Sequence, residues 1–184
     1  MDINCKEDYK DIVELIAIKY LQHREIVIIN VGTDLVVGDS FGPLVGTMIE
    51  ENRLNNFYSY GNLDNPITAL NLKDEVKKIK AMHPNAYIIG IDACVSKTEE
   101  KLNTLIFRLD KPLCPGSGAG KVLIDVGDSS IVFILKEPLG KSFSMMLRQD
   151  RLRNVYHSAK KVISLLTEAN ELIDLKLGEG RWII

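Results

Sequence analysis

The stretch Ile26-Val27-Ile28-Ile29-Asn30-Val31-Gly32-Thr33-Asp34-Leu35-Val36-Val37-Gly38-Asp39-Ser40-Phe41-Gly42-Pro43 decides the fold. Ile26 to Val31 is a β-branched run broken only by Asn30, and Gly32 ends it. A strand covered on both faces reads this way, because neither set of alternating side chains can afford to be polar; this is the habit of parallel sheets. Pro43 suits the first turn of a helix, and Leu44, Val45, Met48 and Ile49 give that helix an apolar stripe. The segment is therefore one strand-loop-helix unit, with Asp34 and Asp39 in its loop.

The same alternation continues outward. Before the strand, Tyr9, Ile12, Val13, Ile16, Ala17, Tyr20 and Leu21 recur at helical spacing and predict a helix from Tyr9 to Leu21. After it, Phe57 to Tyr60 reads as a short strand, and Pro66 is expected to open a helix carrying Ile67, Leu70, Val76 and Ile79. Ala86 to Ile91 reads as a second buried strand, delivering Asp92 at its end. Thr104 to Leu109 and Ile131 to Leu135 supply further strands. Asp150 is placed to cap a last helix with Leu152, Val155, Ala159, Val162, Ile163, Leu166 and Ile173 turned inward. Strands alternating with helices imply an α/β fold, a three-layer α/β/α sandwich with a mainly parallel sheet. One domain over residues 1–177 is expected, followed by a flexible tail over 178–184 that Gly178-Glu179-Gly180 introduces. In such sheets ligands collect beyond the carboxyl ends of strands. Asp34, Asp39 and Asp92 sit where that rule points.

Composition narrows the class. At 184 residues with 46% apolar content, the chain can bury about 70% of the surface its unfolded form exposes, so disorder is excluded as the main state. A net charge of −2 gives no global positive field, and nucleic acid is not an expected partner. No apolar run reaches the ~20 residues of a membrane helix, and the acidic amino terminus lacks the pattern of a secretory signal. Cys5, Cys94 and Cys114 form neither a C-x-x-C pair nor an even framework, which points to reduced thiols and a cytoplasmic protein.

Two carboxylates at adjacent strand ends are the minimum for aspartyl-type hydrolysis: one accepts a proton from water while its neighbour stays protonated. Asp39 and Asp92 are the favoured pair. Asp34 is placed to raise at least one of their pKa values by like-charge repulsion, with Thr33 and Gly38 as supporting residues. Asp also caps helices and turns, so spacing alone leaves that reading open. Gly116-Ser117-Gly118-Ala119-Gly120-Lys121 is not a P-loop, which needs four residues between its glycines and Ser or Thr after its Lys. Gly116, Ser117, Gly118 and Lys121 remain candidates for approaching a substrate, against the plainer reading that the glycines only turn the chain. Cys94 reads as a buried structural thiol. His23, His83 and His157 occur singly and read as surface or interfacial residues. No metal site and no cofactor is expected.

The loop Gly38-Asp39-Ser40-Phe41-Gly42-Pro43, with Ile91-Asp92-Ala93 and Pro115-Gly116-Ser117-Gly118-Ala119-Gly120, resembles the YyaC-type spore proteases of spore-forming Firmicutes. The resemblance runs from about Ile26 to Leu166. More distantly the chain is similar to the spore germination protease and the hydrogenase maturation endopeptidases, which implies a phosphorylase/hydrolase-like fold. The germination protease carries its catalytic aspartates in Pro-Asp-Ala-Leu-Gly-Pro and Ile-Asp-Ala, so the resemblance places the catalytic roles on Asp39 and Asp92. The maturation endopeptidases add a His to bind their client's nickel. No His lies between His83 and His157 here, and nickel recognition is not implied.

These readings lead us to expect an endopeptidase of the sporulating cell's cytoplasm, cleaving a peptide bond of a spore protein with two aspartates and one water. The competing expectation is a catalytically inactive protein that binds a peptide or partner on the same scaffold. A metal-dependent peptidase using the two aspartates as ligands is a weaker third. The expected partner is a protein or peptide substrate, without nucleic acid or membrane, and a homo-oligomer is compatible with the sequence.

Overall fold

A computed structural model describes residues 1–96, 103–116, 123–136 and 152–178. After helix α1 (Lys6–His23), strand β1 (Ile26–Asn30) leads through a 3-10 turn at Gly38–Ser40 into α2 (Phe41–Glu51). The chain continues with β2 (Phe57–Tyr60), α3 (Leu72–Met82), β3 (Tyr87–Ser96), β4 (Leu105–Arg108), β5 (Ser129–Lys136) and α4 (Leu152–Gly178). The strands form one sheet in the order β2-β1-β3-β5-β4. All neighbours run parallel except β4, which lies antiparallel on β5. From β1 the chain crosses to β2 on one side and then to β3 on the other. The order of strands therefore reverses between β1 and β3, at whose carboxyl ends a crevice must open.

Strand alternation divides the core in two. Ile26 and Ile28 of β1, Ile89 and Ile91 of β3, and Ile131, Phe133 and Leu135 of β5 face the helices α1, α2 and α4. Val27 and Ile29, Ile88, and Val132 and Ile134 face the other way, onto Leu72, Val76 and Ile79 of α3 and the strap residues Leu113 and Val126. The result is a three-layer α/β/α sandwich. Its core strands are apolar on both faces because each face is covered by a layer.

Some elements differ from their expected form. The segment opened by Pro66 is not helical until Leu72. The chain first makes a turn at Thr68 to Asn71: the Asn71 side-chain oxygen accepts from the Thr68 N–H at 2.7 Å and its Nδ2 donates to Pro66 O at 3.2 Å, a reciprocal cap that sets the helix start after Pro66. Ile67 instead bridges Val31 in parallel, and Leu70, expected in the core, is 98% exposed. Leu152, expected inward, is also exposed. β3 runs on to Ser96, so Asp92 stands inside a strand and not at its end. The residues before α1 form a bridge from Asp2 to Ile106 and hydrogen bonds from Ile3 N–H to Leu105 O and Phe107 N–H to Met1 O, covering the β4 edge. Asp150 and residues 179–184 lie outside the described residues, and Gly178, expected to begin the tail, is the last residue of α4.

Candidate functional site

The loop that follows β1 folds back over that strand's end. Gly32 is at φ +140°, and a Cβ there would fall 2.0 Å from the Asp39 carbonyl oxygen. Only glycine lets the two backbones approach so closely. The Thr33 N–H donates to that same carbonyl at 3.1 Å, and Ser40 Oγ donates to Val37 O at 2.6 Å, pinning both sides of Asp39. Gly42 is fixed in the same way: its Cβ would stand 2.1 Å from Val31 O, so α2 begins pressed against the end of β1. Gly32 and Gly42 are thus required by close backbone approach around the loop.

Asp92 reaches the crevice from β3. The last residue of β1, Asn30, registers with Ile91, and the Val31 N–H donates to Ile91 O at 2.7 Å. Asp92 is the next residue along, just past the point where β1 stops. Its side chain belongs to a residue only 7% exposed, and Oδ1 accepts from the Ala93 N–H at 2.7 Å. Burial raises its pKa well above the usual 3.8, the negative charge of Asp39 raises it further, and the Ala93 hydrogen bond opposes both. Asp39 is also raised from 3.8 by burial, with the Thr33 N–H pulling the other way. Asp39 is half-buried and Asp92 buried, and the charge of the first bears on the second. The charge of Asp39 therefore makes ionisation of Asp92 more costly than burial alone does.

The other sequence candidates divide. Thr33 is half-buried beside Asp39, where its backbone N–H makes the bond just described. Gly38 is buried within the 3-10 turn. Asp34 is exposed, and the neighbouring charge that raises Asp92 is that of Asp39. Gly116 is described, at φ +75°. Ser117, Gly118 and Lys121 lie outside the described residues. Among the described residues no group of three or more His, Cys, Asp and Glu side chains could hold a metal ion.

One arrangement escaped the sequence reading. His83, expected at a surface or interface, is buried, with Nδ1 2.7 Å from Glu25 Oε1 and Nε2 2.6 Å from the Tyr60 hydroxyl. These residues join the start of β1, the end of β2 and the end of α3, and no local pattern announces a bond between elements so far apart in sequence. Cys94 is two residues past Asp92 on the same side of β3. Burial pushes its thiol up, an effect that the Arg108 charge opposes, so it is a poor nucleophile.

Among solved structures the chain is similar to the [NiFe] hydrogenase maturation protease HycI from Thermococcus kodakarensis KOD1, with a TM-score of 0.43 and 17% identity over 78% of this chain and 92% of that one. The uncharacterized protein YyaC of Bacillus subtilis (strain 168) is 36% identical over 151 residues, 82% of this chain and 70% of its own. The family model DUF1256, a protein of unknown function, matches residues 1–165. By that match and by its identity to YyaC, the chain belongs to the DUF1256 family, the YyaC-type proteins that its motifs resemble.

Proposed function

We propose that this chain is a peptidase in which Asp39 and Asp92 share one proton and one water molecule. The observation that carries the reading is the placement of a buried carboxyl group, Asp92, and a half-buried one, Asp39, where strand order reverses, with the charge of Asp39 bearing on Asp92. The resemblance to the germination protease falls on the same two residues, which supports peptide hydrolysis over other hydrolytic chemistry.

The two environments support a division of roles. Asp92 is the deeper group and its oxygen Oδ1 is committed to the Ala93 N–H, so Oδ2 is the oxygen that holds the shared proton. Asp39 is half-exposed, and the Thr33 N–H supports its negative form. Asp39 therefore takes a proton from water as the water attacks the scissile carbonyl, and Asp92 delivers its proton to the departing amine. The water's second proton stays on the product carboxyl group and is lost to solvent, and proton exchange between the aspartates restores the starting state. A protein of the sporulating cytoplasm is the substrate class that the motif resemblance implies.

The test is cleavage. Purified protein is incubated with extracts of sporulating cells, and new termini are read by mass spectrometry. Asp39→Asn and Asp92→Asn should each lower the rate by ~10²–10⁴-fold, the usual contribution of a positioned acid or base, with unchanged circular dichroism. Equal cleavage by both variants and the parent refutes the pairing. Tight capture of one protein without cleavage replaces the peptidase by a binding protein on this scaffold.

A further inference from the structure

The crevice has one wall that the proposed chemistry does not use. β3 pairs with β5 from Ile89 through Ser96, but with β1 only from Tyr87 to Ile91. Beyond Ile91, the β1-facing side of β3 has no strand partner among the described residues. Main-chain groups on a strand alternate in direction. The Ile91 carbonyl points at β1, where it accepts from Val31, so the main-chain groups of Ala93 and Val95 point the same way, into the row that β1 has vacated. The Ala93 N–H is turned to Asp92 Oδ1, which leaves the Ala93 carbonyl and the Val95 N–H as the open pair. The Ala93 and Val95 side chains, half-buried, pack against the helix-side core and leave this main-chain row to one side.

An open edge inside a fold is a ready template for an extended chain. Here it adjoins the aspartates directly, since Asp92 is the residue between Ile91 and Ala93.

We propose that a polypeptide substrate binds as an added strand along β3, donating an N–H to the Ala93 carbonyl and accepting from the Val95 N–H. Main-chain pairing of this kind supplies affinity with little dependence on side chains. It holds the peptide extended and sets a scissile bond in fixed register with Asp92. The substrate class is thereby an unfolded or locally extended segment, and not a folded surface. The catalytic consequence rests on the peptidase reading above, but the binding does not.

The experiment uses the full chain with oxidised insulin B chain as the probe, an unfolded polypeptide. In the free protein the Val95 amide should exchange with solvent faster than the Cys94 amide, which pairs within the sheet. In the Asp39→Asn variant, which retains the edge, the probe should slow Val95 exchange at least ~3-fold while leaving Cys94 unchanged. Val95→Pro removes the donor from the open side only, and should raise KM for the probe ~3- to 10-fold with kcat little altered, the effect of one lost hydrogen bond. If Val95→Pro does not fold, probe N-methylated at alternate positions should show the same loss at one set of positions and none at the other. Protection of Val95 in the free protein, no protection on adding the probe, or uniform tolerance of N-methylation overturns the inference. Cleavage that proceeds with Val95 unprotected overturns the added strand and leaves the peptidase standing. Protection without cleavage by the parent does the reverse.

Discussion

Asp92 lies deeper than Asp39, and the charge of Asp39 is what bears on it: burial raises both carboxyl groups, but only Asp92 is also raised by its neighbour. The coupling is reciprocal in principle, and it makes the first prediction. In Asp39→Asn the Asp92 pKa should fall toward the ordinary 3.8 without reaching it, because desolvation remains when the neighbouring charge is gone. Carboxyl-carbon NMR titration of parent and variant measures this. An Asp92 titration that ignores the Asp39 substitution means the two groups do not share a site.

The same coupling shapes the rate. The active state holds one proton between the two aspartates, so kcat/KM should follow a bell whose limbs belong to the pair. Both limbs should lie above the ordinary aspartate value of 3.8, since burial shifts both groups upward, and the alkaline limb should lie well above it. A profile that falls to zero on the alkaline side near pH 4 contradicts the assignment of a shared proton.

Stability should move against activity. The folded-state pKa of Asp92 is raised, so its contribution is fully present below the unfolded value near 3.8 and is lost as pH rises through the folded value. Asp92→Asn removes a buried acid that resists ionisation. It should leave stability near pH 3 almost unchanged and raise it at neutral pH by ~1 kcal/mol, the usual yield of relieving a strained functional site. For a chain of this size that is about 2–4 °C in Tm. Calorimetry at the two pH values decides it. A variant destabilised at neutral pH means that the carboxylate makes a bond worth more than its desolvation costs.

The sheet was legible in the sequence because its strands are covered on both faces and must be apolar throughout, as in Ile26 to Ile29 and Ile88 to Ile91. The candidate pair was legible because strand ends and glycine loops have fixed places in such a fold. What stayed hidden depends on contacts between distant parts of the chain. Asp92 reads as the end of a strand because Asp breaks the apolar run, yet β5 carries β3 four residues further, to Ser96. Pro66 reads as a helix start, but the side-chain bonds of Asn71 across the turn at Thr68 to Asn71 set that start later. The open edge of β3 follows from where β1 stops relative to β3, a matter of register that neither strand's own residues reveal.

The last prediction concerns the buried array at the other end of β1. The Tyr60 hydroxyl and Glu25 occupy both ring nitrogens of His83, at 2.6 and 2.7 Å, and His83 is itself only 8% exposed. Tyr60→Phe keeps the ring and its packing, including the edge contact with His83 at 5.6 Å, but deprives Nε2 of its partner. An unpartnered buried nitrogen costs ~1–3 kcal/mol, more than the net worth of the bond itself. Glu25 is more exposed, so water can replace its carboxylate and Glu25→Gln should cost less. Urea denaturation with an unchanged m value should therefore rank Tyr60→Phe as the more damaging substitution. Neither variant touches the aspartates, so kcat should be preserved wherever the protein remains folded. If Glu25→Gln is the worse of the two, the array is held by charge and not by satisfaction of the buried ring.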